Sequence, residues 1–168
     1  IPDTDDWAEY WDSIFSPFAD WIQTSFPHMH DTASPVRREL VNKHGLLYTW
    51  PGSDPTLKPI VLMSHQDVVP VANETLDQWI HPPFSGHIDI ENQTVWGRGS
   101  VDCKLWLVST ISAVQTPVKS DFKPKRTIIL SIGHDEESDG KHGAQHLSAE
   151  LEKRFGRGGI GMIVDEGT

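Results

Sequence analysis

The sequence is poorest in cysteine. Cys103 is the only one, so no internal disulfide can form and cysteine usage gives no redox compartment. Basic residues are scarce as well. Lys and Arg number 14 against 24 Asp and Glu, a formal net charge of −10 at pH 7. Nucleic acid and anionic membranes both require clustered cations, so neither is expected as a partner. The short basic groups at Arg37-Arg38, 123–126 and 153–157 are too small to reverse that balance. No apolar run approaches the roughly 20 residues that a membrane helix needs, so no transmembrane segment is expected here. Internal repeats and low-complexity stretches are missing. With 13 Gly and 12 Pro, the chain has far too few of either for a disordered or collagenous protein. It opens at Ile1, not Met, which leaves an upstream signal or anchor open.

A chain of 168 residues can bury one sizeable core. Over residues 3–27, Trp7, Tyr10, Trp11, Ile14, Phe15, Phe18, Trp21, Ile22 and Phe26 recur at spacings of three and four, the stripe of an amphipathic helix. Pro17 is expected to break or kink it. The polar face lacks basic residues, which favours packing on a core over binding a lipid surface. Ser34-Pro35 has the form of an N-cap followed by proline, and Gly45 that of a C-cap, so a helix is predicted over 35–44. Strands are predicted at 46–50, 60–63, 127–132 and 160–164, with a hairpin at 87–90 and 94–96. A buried helix is expected over 102–116 and an amphipathic one over 143–155. Strands alternating with helices predict an α/β fold: a mixed, largely parallel sheet flanked by helices.

Four segments end apolar runs with histidine or carboxylates. They are Ser64-His65-Gln66-Asp67, Gly97-Arg98-Gly99-Ser100-Val101-Asp102, His134-Asp135-Glu136-Glu137 and Val164-Asp165-Glu166-Gly167. His65 and Asp67, two apart on extended backbone, share a side, where the carboxylate can fix the imidazole tautomer. Asp102 follows a glycine-flanked turn and is expected to open a helix, where an ordinary N-cap is the plain alternative. Cys103 fits a small buried side chain better than a soft metal ligand, and Lys104 a solvated lysine. Three adjacent carboxylates at 135–137 repel one another unless cations or protons intervene. One of them can ligate while its neighbour remains a base of raised pKa. Each segment alone has an ordinary explanation as a loop or solvated turn. All four at the carboxyl ends of strands, where open α/β sheets bind ligands, are the donor set of a hydrolytic metal site. His134 and His142 are nearby imidazoles without a ligand pattern.

The stretch His65-Gln66-Asp67-Val68-Val69-Pro70, with Trp79, Pro82-Pro83-Phe84 and Gly86, resembles the M20 metallopeptidase family. So do residues 96–104, Asp135-Glu136-Glu137 and Asp165-Glu166-Gly167, and the resemblance covers about 35–168. Within the family the wording is most similar to the carboxypeptidase S and N-acyl-amino-acid hydrolase branch, in a fungal form. Ser64, Leu105 and Ser138-Asp139 depart from the usual pattern without removing a presumed ligand. The resemblance implies two Zn2+ ions: His65 and Asp165 on one, Glu137 on the other, and Asp102 bridging both. It makes Asp67 the residue that orients His65 and Glu136 the general base, and it implies a cis Asp102–Cys103 peptide. It also implies a lid or dimerisation domain and a late histidine ligand that do not map onto residues 1–168.

The expected organisation is therefore an aromatic helical segment at 1–34 followed by the N-terminal part of a catalytic domain at 35–168, with homodimerisation through the lid. The expected activity is zinc-dependent hydrolysis of a peptide or amide bond. A carboxypeptidase acting on short Gly-Xaa peptides comes first, and an N-acyl-amino-acid deacylase would use the same residues. The opposing expectation is an inactive truncated fragment that serves only as a metal-binding or interaction module. Two sequons, Asn73-Glu74-Thr75 and Asn92-Gln93-Thr94, tilt localisation toward the secretory pathway, in a vacuolar lumen or outside the cell.

Overall fold

A computed structural model describes residues 6–167, with side-chain environments from Glu9 onward. Residues 3–5 and the Trp7 side chain of the aromatic stripe therefore lie outside the described part. In chain order the elements are α1 (Asp6–Ser25), α2 (Pro27–His30), β1 (Arg37–Val41), β2 (Gly45–Trp50) and β3 (Ile60–His65). There follow β4 (His87–Asp89), β5 (Thr94–Trp96), α3 (Trp106–Lys119), β6 (Ile128–Gly133), α4 (Ala144–Phe155) and β7 (Met162–Val164).

Five strands form one sheet in the order β1-β2-β6-β3-β7, and β4 and β5 pair as a separate hairpin. β6, β3 and β7 are mutually parallel, and β2 runs against both β6 and β1. Four of the five strands thus share a direction, the mixed α/β sheet expected.

Alternation along β2 sorts its side chains between two helical layers. Leu46, Tyr48 and Trp50 pack with Ile22 of α1, Phe26 between α1 and α2, Met29 of α2, and Leu107 and Ile111 of α3. Leu47 packs with Val61, Ile129 and Leu147 on the α4 side. Because both faces are covered, β6 is buried almost throughout without alternation, Ser131 included.

Three local expectations are corrected. Residues 35–44 do not form a helix. Arg37–Val41 is a strand paired with β2, and Asn42 and Lys43 adopt φ of 47° and 69° to reverse the chain. The Asn42 side-chain amide donates to the His142 carbonyl at 2.9 Å, pinning that turn. Pairing with a buried strand outweighs a local cap signal. Of the two outcomes expected at Pro17, a break is excluded, since α1 continues through it; the cost is the missing N–H of one residue. The buried helix starts at Trp106 and not at Asp102. Asp102 (φ −107°, ψ 101°) and Cys103 (φ −127°, ψ 32°) are non-helical, and the peptide between them is cis.

Candidate active site

β3 and β6 end side by side, with His65 opposite Gly133 in parallel register. The His65-Gln66-Asp67 and His134–Glu137 segments therefore emerge together from the carboxyl edge of the sheet. β7 pairs only with Ile60–Leu62, so Asp165 and Glu166 leave the sheet beside the last turn of β3. The segment 99–104 meets this edge through Asp102, Cys103 and Lys104. Gly99 must be glycine here: its φ is 83°, and a Cβ would lie 2.4 Å from Val68 Cγ1.

The His65 side chain is the hub, and it is almost wholly buried. Its Nε2 lies 3.0 Å from Asp102 Oδ1, 3.1 Å from Glu166 Oε1 and 3.8 Å from Glu136 Oε2. Its Nδ1 is 3.1 Å from the Asp67 carbonyl and 3.3 Å from the Asp67 carboxylate. Burial opposes a charge on this ring. The hydrogen bonds to Asp67 and Cys103, with the negative charge of Glu166, overcome that and raise its pKa to about 11.

Asp67 has a second task. Its two carboxylate oxygens accept the backbone N–H of Glu136 (3.2 Å) and of Glu137 (3.0 Å). One side chain thus fixes the imidazole and also the turn that presents both glutamates. Burial raises the pKa of Asp67, but His65 and the backbone donors pull it below the ordinary carboxylate range.

Glu136 is half-exposed at the cleft mouth. Its pKa is raised, first by partial burial and then by Glu137, Glu166 and Asp67, against the opposing pull of His65. Oε1 of Glu137 is buried with no hydrogen-bond partner among the described residues. Such an orphan is costly unless something else neutralises it. The cleft encloses about 340 Å³, and His65, Asp102, Glu136, Asp165 and Glu166 are among its lining residues.

Of the residues singled out from sequence, His65, Asp67, Asp102, Glu136 and Glu137 converge. Asp165 lines the same cleft, but its carboxylate accepts the Glu166 backbone N–H at 3.0 Å, and the neighbouring Glu166 is the one that reaches His65. Glu166 was missed as a separate participant, although its place next to Asp165 at a strand end was the available signal. Asp135 does not join the acidic cluster. Its buried carboxylate accepts the N–H groups of His142 (2.6 Å) and Gly143 (2.8 Å) ahead of α4. That contact requires Gly143, since a Cβ there would sit 2.4 Å from Asp135 Oδ1.

Donor atoms of His65, Asp102, Cys103 and Glu166 lie within 4.8 Å of one another, as do those of His65, Glu136 and Glu137. Cys103 Sγ is already engaged, accepting the His65 backbone N–H at 3.1 Å. An imidazole with several carboxylates and one orphaned carboxylate oxygen is a donor set suited to divalent cations.

Residues 61–168 match the model of peptidase family M20/M25/M40. Over 91% of its length the chain is 51% identical to carboxypeptidase S of Saccharomyces cerevisiae, covering 26% of that protein. It is 39% identical over 93% of its length to the mouse N-fatty-acyl-amino acid synthase/hydrolase PM20D1, covering 29% of it. The chain thus spans between a quarter and a third of the length of these relatives. Human carnosine dipeptidase 1 superposes with a TM-score of 0.64 at 19% identity, over 95% of this chain and 40% of that one. The Saccharomyces cerevisiae dipeptidase Dug1p gives 0.61 at 22% identity, over 91% and 33%. These two structural likenesses speak for the fold.

Proposed function

The chain belongs to peptidase family M20/M25/M40, and from that premise we propose that the carboxylates around His65 hold two zinc ions for hydrolysis of a peptide or amide bond. The observation that carries this reading is the crowd of acids about one buried imidazole, with Glu137 Oε1 buried and unpartnered among the described residues. His65, Asp102, Glu137 and Asp165 would hold the metal, with Asp102 shared and Glu166 as the alternative to Asp165. When bound, the metal would supply Lewis acidity toward the carbonyl and toward water.

The chain's own residues do the rest. Asp67 holds the His65 ring in one orientation and anchors the 136–137 turn. Glu136, with its raised pKa and open position, takes a proton from water and returns it to the leaving amine. Cys103 stays with the His65 backbone and is not a ligand.

The favoured substrate is a short Gly-Xaa peptide with a free carboxylate, in line with the likeness to carboxypeptidase S. A second reading, an N-acyl-amino-acid deacylase, has the likeness to the fatty-acyl-amino acid hydrolase in its favour. The test uses the full-length protein that carries this chain, stripped with chelator and reloaded with zinc. It is assayed on N-blocked Gly-Xaa dipeptides and on N-acyl amino acids. Zinc-bound protein that cleaves neither sinks the enzyme reading. Glu136→Ala should lower turnover by about 10²–10⁴-fold with zinc retained; loss of zinc instead means that base and ligand are interchanged. Asn73 and Asn92 are both exposed, and secretory-pathway glycosylation at these sequons is checked by an endoglycosidase mobility shift.

A further inference from the structure

Lys104 lies outside the roles assigned above, and it is not a solvated lysine. Its stem is half-buried, and its ammonium sits 5.3 Å from the centre of the Phe18 ring of α1. The same ammonium donates to the Gln66 backbone carbonyl. Gln66 is the residue between His65 and Asp67, and it is otherwise held by its N–H to the Gly133 carbonyl (2.9 Å) and its side-chain amide to the His44 carbonyl (2.8 Å).

Three consecutive residues therefore brace one strand end. Asp102 meets the His65 ring, Cys103 Sγ meets the His65 backbone, and Lys104 meets the next carbonyl along. Lys104 is itself anchored, its backbone N–H donating to Gly99 at 2.9 Å. Asp67 follows directly, and the turn bearing Glu136 and Glu137 hangs from it.

We propose that Lys104 is a positioning residue: clamped between Phe18 and the Gln66 carbonyl, it sets the His65–Asp67 strand end on which the metal-binding side chains depend. This rests on the metal-site reading above. The electrostatic effect has the opposite sign, which makes the two separable. A cation beside a divalent-metal site repels the metal, so removing Lys104 tightens binding if its charge alone matters. If it positions the ligands, removing it weakens binding despite the lost repulsion.

The experiment measures zinc affinity of the metal-free full-length protein by competition with a chromophoric chelator. Lys104→Met, which keeps the apolar stem against Phe18, is expected to weaken zinc binding by about 10–100-fold, the range for residues that support metal ligands. Lys104→Arg, which keeps a charged donor, is expected to recover part of the loss. Unchanged or tighter binding in Lys104→Met overturns the proposal, and so does a failure of Lys104→Arg to recover any of the loss. If Lys104→Met does not fold, Lys104→Gln is measured in its place, with weaker binding supporting the clamp and equal or tighter binding overturning it. Wild-type protein that binds no zinc overturns the metal reading as well. Normal wild-type binding matched by Lys104→Met overturns the clamp alone.

Discussion

Two buried histidines, His65 and His134, end neighbouring parallel strands and have opposite chemistry. His65 is 1% exposed and His134 2%, so burial does not distinguish them. Their partners do. His65 is ringed by Asp67, Asp102 and Glu166, and its pKa rises to about 11. His134 packs against the rings of Trp11 and Phe15 at 5.5 and 5.4 Å, with His44 5.4 Å away, and neither of its ring nitrogens has a hydrogen-bond partner among the described residues. Burial, only partly offset by Asp135, pushes its pKa down to about 4. Low dielectric amplifies whatever lies nearby: facing carboxylates it makes a cation or a metal ligand, and facing aromatic rings it makes a neutral filler.

The widest gap between the two sites should appear on truncation. His65→Ala in the full-length protein is expected to weaken zinc binding by more than about 100-fold, beyond the effect of losing a supporting residue. His134→Phe should leave zinc affinity unchanged and hold or raise the melting temperature, because it replaces two unsatisfied nitrogens with carbon. Equal zinc loss in both variants would erase the distinction.

Next in size is Asp67→Asn, expected to cost about 10–100-fold in zinc affinity. The amide keeps one acceptor, but it cannot serve both glutamate N–H groups and the imidazole. Isothermal titration of the stripped protein checks it.

Smaller still, and opposite in sign at the two histidines, is the response to pH. The pKa of His65 in the folded protein, about 11, exceeds its ordinary 6.5. Its contribution to the metal-free protein is therefore complete below about 6.5 and is lost as the pH climbs toward 11. The His134 value of about 4 lies below 6.5, so its contribution is complete above 6.5 and lost as the pH falls toward 4. Melting curves of metal-free protein from pH 7 to 4 should fall less steeply for His134→Phe than for wild type. Identical acid limbs would remove His134 from the account.

The smallest effect is expected at the rim of the aromatic cluster. His44 Nε2 meets the half-exposed Asp12 carboxylate at 3.2 Å. Asp12→Ala should cost no more than about 1 kcal/mol by chemical denaturation.

Much of this contrast was legible in sequence, and its limits have physical causes. The strands at 46–50, 60–63 and 127–132 announced themselves because both sheet faces are covered and the runs are mostly apolar, broken only by Thr49, Thr127 and Ser131. The sheet-edge positions of His65, Glu136 and Glu137 were readable because they follow such runs, whereas Asp102 follows the separate β4–β5 hairpin and its role came from the family resemblance. The strand at 37–41 was not readable, since its residues are half-polar and its conformation comes from pairing with β2. Asp135 looked like one of three repelling acids, but the repulsion is relieved by two backbone donors seven and eight residues on. Lys104 looked solvated because its partners, Phe18 and Gln66, are remote in sequence. Period and composition reveal which face a residue takes; they do not reveal a contact made across 38 or 86 positions.

The short reach of β7 has a geometric consequence. It stops opposite Leu62 while β3 runs on to His65, so the sheet lacks one corner three residues deep. At a rise of about 3.3 Å per residue that notch is about 10 Å along the strand. The difference in strand length acts as a depth gauge. One residue more between Val164 and Asp165 would carry the Asp165-Glu166 carboxylates about 3.3 Å further along against a fixed imidazole.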